Sequence, residues 1–262
     1  MLLHGFTGSA RGMASLAESF EDCFEVLAPD LPGHGGSPVP ADYSFDAAVS
    51  DLLATLAASG HRQACWLGYS MGARLALACA IRDPGSVVSL VLLGARAGIA
   101  DSVEREARRQ QDEALAARIE SLGIEAFVDE WLAQPLFATQ RQLGESFLAV
   151  ARSERLANAP AGLAASLRAM GPGAQPPLFD ALGRVAAPAL LVAGALDEKF
   201  LGAARDLAGR LPRGEVCEIA GAGHAAHLER PEAFLAATRE FFGRSHAAAE
   251  SISTNQVQET AQ

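Results

Sequence analysis

Positive charge is scarce in this chain. Lys199 is its single lysine, and 21 Lys and Arg stand against 31 Asp and Glu, a formal charge of −10 over 262 residues. That balance argues against nucleic acid and against an anionic membrane surface as partners. The remaining basic residues are all arginine, the type suited to bidentate binding of carboxylates. Cysteine is sparse as well. Cys23, Cys65, Cys79 and Cys217 are scattered, with no C-x-x-C spacing for zinc or redox work. Free thiols in a reducing compartment are the expectation, and cytoplasmic is the expected location. No apolar run reaches the roughly 18–20 residues of a membrane span. The N-terminus has no basic stretch followed by an apolar core, so no secretion signal is expected. No internal repeat and no motif for a metal or organic cofactor is visible, and nothing in the sequence speaks to oligomeric state.

What is present is an alternation. Hydrophobic residues make up 50% of the chain, ample for one large domain with an inserted subdomain. Short apolar runs at 1–3, 24–28, 64–67, 87–93, 189–194 and 215–219 read as strands. Continuous apolar runs of this kind suit a parallel sheet buried on both faces. Helical periodicity covers 11–20, 45–59, 73–80 and about 231–242. Strands alternating with helices predict an α/β fold, a mostly parallel central sheet flanked by helices. Residues 98–177 break the alternation with charged, Ala-rich, helical spacing, and are read as a helical cap insertion. The core is thus expected at 1–97 and 178–245, with 246–262 a disordered tail.

Within the core, Gly68-Tyr69-Ser70-Met71-Gly72 has the form G-x-S-x-G between a strand and a helix. That context is the one a nucleophile elbow requires. A bare match is weak, because an ordinary strand-to-helix turn reads the same way. A serine hydroxyl needs an imidazole to take its proton, and the imidazole needs a carboxylate to orient it. Asp197, just beyond the 189–194 strand, fits the carboxylate role, although it could instead cap a helix starting near Lys199. His224, in Gly221-Ala222-Gly223-His224 after the last strand, fits the imidazole role. His227, His4 and His34 are rivals, and chain order favours His224. The oxyanion donors would be the backbone N–H groups of Met71 and Phe6.

Longer segments carry a resemblance. Trp131-Leu132-Ala133-Gln134-Pro135-Leu136-Phe137, Ser166-Leu167-Arg168-Ala169-Met170-Gly171-Pro172-Gly173-Ala174-Gln175-Pro176, Asp197-Glu198-Lys199-Phe200 and Ala222-Gly223-His224-Ala225-Ala226-His227 join the elbow and its Arg74. With them the chain resembles the α/β-hydrolase-fold family. More narrowly it resembles the 2-succinyl-6-hydroxy-2,4-cyclohexadiene-1-carboxylate synthases of menaquinone biosynthesis. The resemblance covers the chain to about residue 243. It implies a lyase that eliminates pyruvate from a small polycarboxylate, with Ser70, His224 and Asp197 moving a proton. It also implies that Arg74, Arg108 and Arg152 bind substrate carboxylates, and that Tyr69 and Trp131 wall the pocket. Arg105 and Arg109 compete with Arg108 for its place, and Arg168 is another possible contact. The bland alternative is that insertion arginines pair with the insertion's own acids, and that Trp131 is a core aromatic.

The chain departs from that family in three places. One or two N-terminal strands are missing before Leu2, Ala73 replaces a glycine, and Met13 stands where tryptophan is frequent. Two other functions compete: a serine esterase or carbon–carbon bond hydrolase on the same scaffold, and a non-catalytic ligand-binding protein.

Overall fold

The computed structural model describes residues 1–40 and 42–259, of which 246–259 are described as helical backbone alone. Five strands form one sheet: β1 (Leu2–Leu3), β2 (Ala64–Tyr69), β3 (Val87–Leu93), β4 (Ala189–Gly194) and β5 (Gly214–Ile219). They lie in the order β1-β2-β3-β4-β5, and every pairing is parallel. The register runs Leu2 to Leu67, Leu67 to Val91 and Leu191 to Val216.

Neighbouring strands in sequential order mean that every crossover steps in one direction. With the right-handed connection that parallel strands require, the main helix of each of the crossovers β1–β2, β2–β3 and β4–β5 then lies on one face. Side chains sort accordingly, since successive residues of a strand point to opposite faces. Leu3, Trp66, Leu90, Leu92, Leu191 and Ala193 face one core with α2 (Phe45–Ala58), α3 (Met71–Arg82) and α7 (Glu198–Arg210). Leu2, Leu67, Val91, Leu93, Leu190 and Val192 face the other core with Phe20, Phe234, Phe241 and Phe242. The last three belong to the C-terminal helix. Helix α1 (Ala14–Glu18) lies on this second face through Leu16 and Ala17.

Between β3 and β4 the chain leaves the sheet for a helical excursion: α4 (Ser102–Leu132), a 3₁₀ stretch Pro135–Leu143, α5 (Glu145–Leu156) and α6 (Pro160–Met170). Asp101 starts α4 by accepting from the amides of Val103 and Glu104, the usual way a helix satisfies its first orphan donors. Ala116, Ile119, Phe127 and Val128 of α4 pack on Leu163, Ala164 and Leu167 of α6 as a separate small core. Phe6 and Trp131 join its edge, which seats the excursion over the loop after β1. The short α8 (Ala226–Glu229) and the long α9 (Pro231–Glu259) follow β5.

Two local expectations need correction. Phe24–Ala28 is not a strand; it runs beside β1 with one backbone bond, Leu2 N–H to Leu27 O at 2.9 Å. A two-residue β1 offers too little backbone to build a ladder on it. The last helix continues to Glu259, well past Phe242. The disordered tail expected at 246–262 falls on side chains, and at 260–262 on backbone, outside the described residues. No helix among the described residues is long and apolar enough to cross a membrane.

Candidate active site

The elbow is dictated by crowding. A Cβ at Gly68 would lie 2.5 Å from the carbonyl carbon of Gly72, and one at Gly72 would lie 2.4 Å from the carbonyl oxygen of Leu3. Only glycine lets strand, turn and helix backbones approach this closely. Ser70 itself is forced to φ 52° and ψ −105°, a region costly to any residue with a side chain. The Ser70 amide donates to Leu93 O at 2.8 Å and the Gly72 amide to His4 O at 3.1 Å. These two bonds fix the turn to β3 and to the loop after β1. Ser70 Oγ is left at the N-terminal, electropositive end of α3.

His224 Nε2 lies 3.2 Å from Ser70 Oγ, and its Nδ1 lies 2.9 Å from Asp197 Oδ2. The network calls for the tautomer in which Nδ1–H donates to the carboxylate and Nε2 accepts from the serine hydroxyl. His224 is 3% exposed. Its ring is held by Phe200 at 4.4 Å and Tyr69 at 5.4 Å between centroids. Asp197 also caps α7, its Oδ1 accepting from the Phe200 amide at 3.2 Å. Both readings of this aspartate are therefore realised at once. The amides of Phe6 and Met71 have no hydrogen-bond partner among the described residues, and both residues line the cavity in front of Ser70.

The rival histidines have other work. His4 donates from Nδ1 to Gly5 O and accepts the Leu31 amide at Nε2; His34 accepts the Thr7 amide. They bind the Phe6 loop to the segment after Leu27. Burial pushes His4 down to about 4 and His34 to about 3. Burial, then the charge of His224 and of Arg155, takes His227 to about 3. All three are neutral imidazoles at physiological pH.

The cavity between the sheet and the helical excursion has a volume of about 420 Å³. Arg74, Arg96, Arg108, Arg155 and Lys199 line it, against one acid among the lining residues, Asp112. Arg74 is 8% exposed. It donates to Gln175 Oε1 at 3.1 Å and to Met170 O at 2.9 Å, and pairs with no acid among the described residues. Burial, and next the proximity of Arg108, lowers its pKa to about 10, Asp112 opposing; it remains a cation at neutral pH. Arg108 donates from Nε to Asp112 Oδ1 at 2.7 Å, while Asp112 Oδ2 accepts the Gly173 amide at 2.8 Å. Its competitors point elsewhere: Arg105 to the carbonyl of Ile99 and Arg109 to Glu106. A second cavity of about 360 Å³, at the β1 edge beside Leu27 and Phe242, contains none of these groups.

Two expected contacts are not brought in. Arg152 makes a bidentate pair with Asp129 at 2.6 and 2.9 Å and does not line the cavity. Arg168 is held on the outer surface between Glu113 and Glu120. The arginine of α5 that does reach the cavity is Arg155. Its Nη1 donates to Ala151 O at 2.7 Å, and its Nε is shielded from solvent without a partner. Helical spacing offers no signal for it: Arg152 and Arg155 stand three residues apart, as neighbours on one side of α5. Tyr69 and Trp131 both line the cavity. Trp131 meets Phe6 edge to face at 5.2 Å between centroids, and its indole N–H is buried without an acceptor among the described residues. No cluster of His, Cys, Asp or Glu among the described residues is placed to hold a metal ion.

Known proteins place this arrangement. The family model described as alpha/beta hydrolase fold matches residues 1–231. A putative 2-succinyl-6-hydroxy-2,4-cyclohexadiene-1-carboxylate synthase of Bacillus subtilis is 37% identical over 242 residues, covering 91% of this chain and 88% of that one. The synthase of that name from Serratia proteamaculans is 35% identical, covering 91% of each. Among solved structures, MenH from S. aureus superposes with a TM-score of 0.89 at 32% identity, covering 94% of this chain and 93% of that one. A thermophilic esterase from Thermogutta terrifontis, bound to malate, reaches 0.81 at 25% identity, covering 94% and 89%. The chain belongs to the α/β-hydrolase fold family, in the branch that holds the 2-succinyl-6-hydroxy-2,4-cyclohexadiene-1-carboxylate synthases.

Proposed function

We propose that this protein eliminates pyruvate from 2-succinyl-5-enolpyruvyl-6-hydroxy-3-cyclohexene-1-carboxylate to give 2-succinyl-6-hydroxy-2,4-cyclohexadiene-1-carboxylate. The observation that carries the reading is Arg74: a buried cation, one helical turn beyond Ser70, with no acid paired to it. Burying an unpaired charge is costly, so the site is built for an anion that arrives with the substrate. Arg155 and Arg108 supply further positive charge in a protein whose formal charge is −10.

The chemistry follows from the triad. Ser70 Oγ takes the ring proton next to the succinyl carbonyl as its own proton passes to His224 Nε2. Asp197 stabilises the imidazolium. The amides of Phe6 and Met71 hold the carbonyl oxygen as negative charge develops on it. The electrons move through the ring, the bond from carbon to the enolpyruvyl oxygen breaks, and the proton is returned to the departing enolpyruvate as pyruvate. No water is consumed, so Ser70 serves as a base and not as an acyl acceptor. A cytoplasmic location accords with the four cysteines, all free thiols.

The esterase reading draws support from the same triad and free amides, and from the esterase that shares the fold. The test is to supply the enolpyruvyl substrate and follow pyruvate with a coupled dehydrogenase. Pyruvate formed in step with the cyclohexadiene product is the expected result. No pyruvate, with fast cleavage of short acyl esters, overturns the lyase reading.

A further inference from the structure

We infer that Glu229 is the positioning residue of the catalytic histidine. The inference rests on His224 being the base, as read above, and not on which substrate it serves. Glu229 ends α8 and is 2% exposed. Its Oε2 accepts the amide of Gly223 at 2.7 Å and its Oε1 accepts the amide of Ala225 at 3.2 Å. The two amides belong to the residues on either side of His224, so one carboxylate clamps the peptide groups that carry the imidazole.

The chemistry of the group matters here. Two N–H donors converge on one side chain, which must present two acceptors. A carboxylate does so; a side-chain amide offers one acceptor and one donor. Among the described residues Glu229 has no ion-pair partner, so these amides are what compensates its burial. No other group among the described residues accepts from these two amides. Gly223 has no side chain, and the space a Cβ would need is taken by Thr139 Oγ1, 2.2 Å away. Ala225 is the N-cap of α8 and its carbonyl accepts the amides of Leu228 at 2.8 Å and Glu229 at 3.0 Å, so the carboxylate secures the one backbone group left over, its N–H. His224 itself is committed through both ring nitrogens to Asp197 and Ser70. The clamp converts a glycine-flanked loop into a rigid mount for that ring.

The variant is Glu229→Gln, with Glu229→Asp as its partner retaining both acceptors. Misplacing a reacting group by about 1 Å costs about 100-fold, and a fall of that order in kcat with KM unchanged is the expected result for Glu229→Gln. Glu229→Asp is expected to recover part of it. The downfield proton resonance of the His224–Asp197 hydrogen bond should shift or broaden in the Gln variant. Labelling of Ser70 by a fluorophosphonate, which needs the histidine but not the substrate, should slow by the same factor. Unchanged labelling overturns the inference whatever the pyruvate assay shows. Slowed labelling in a protein that releases no pyruvate sustains it while the proposed function falls. If Glu229→Gln does not fold, amide exchange on the unaltered protein decides: slow exchange at Gly223 and Ala225 is expected, and exchange as fast as an exposed loop overturns the clamp.

Discussion

Asp197 gives each of its carboxylate oxygens a different partner, and His224 takes Oδ2 at 2.9 Å while Oδ1 caps α7. Orientation of the imidazole, catalytic in the proposed function, and helix initiation are thus joined in one side chain, and two substitutions pull them apart. Asparagine at 197 keeps an oxygen for the Phe200 amide but no longer fixes the imidazole tautomer. Asp197→Asn is expected to lose roughly 10⁴-fold in kcat with little change in thermal unfolding. Asp197→Ala should lose the same activity and, in addition, about 1 kcal/mol of stability from the missing cap. Steady-state kinetics and calorimetry on the two variants check this.

Arg74 and Arg152 make opposite demands. Arg74→Met removes a buried charge that no acid compensates, so the ligand-free protein should unfold no earlier than the parent. Its kcat/KM for the tricarboxylate should nonetheless fall by about 30-fold or more, the loss typical of a buried charge left without its partner, at 2–5 kcal/mol. Arg152→Ala breaks an exposed pair with Asp129, worth about 0–1 kcal/mol, and should leave KM where it was. Arg155→Ala should behave like Arg74→Met. Equal effects at 152 and 155 would show that the inward face of α5 has been misassigned.

The backbone at Ser70 stores strain at φ 52°, which a glycine does not feel. Ser70→Gly and Ser70→Ala should both be inactive in proton transfer. The glycine variant should be the more stable by about 1–2 kcal/mol, the usual cost of such a conformation. Chemical denaturation of the two dead variants side by side measures the strain directly.

Acid should unfold this protein through its imidazoles. His4, His34 and His227 have folded pKa values near 4, 3 and 3, below the value near 6.5 of an unfolded histidine. The unfolded chain therefore binds more protons below about pH 6.5. Stability is complete above that pH and falls as pH drops toward the folded values, by up to about 1.4 kcal/mol per pH unit for each histidine. Urea unfolding from pH 7.5 to pH 4.5 should show the loss beginning near 6.5. A flat profile in that window would mean the three rings are not held neutral.

Much of this was legible in the residues themselves, for a physical reason. Strands 87–93 and 189–194 are bounded by local signals, an apolar run and a glycine, and the structure has those same limits. Ser70, Asp197 and His224 each sit just past a strand end, and parallel strands deliver all their C-terminal ends to one edge. The arginines were harder. Arg152 and Arg155 differ by one turn of α5, and which of them faces the cavity depends on how α5 rolls against α4. Phe24–Ala28 has the composition of a strand, yet pairing needs a partner backbone, and β1 spans Leu2–Leu3 alone. What packing between distant elements decides cannot be read from one segment.

The helical excursion enters and leaves between β3 and β4, two strands that are neighbours in the sheet. Ser70 belongs to the turn after β2; Asp197 and His224 follow β4 and β5. The cavity wall is therefore shared: the core supplies Arg74, Arg96 and Lys199, and the excursion adds Arg108, Arg155 and Trp131. The excursion's share can be exchanged as a single insertion between two strands that already pair with each other. Such a seam lets one wall of the cavity be rebuilt while Ser70, Asp197, His224 and Arg74 stay where the sheet and α3 hold them.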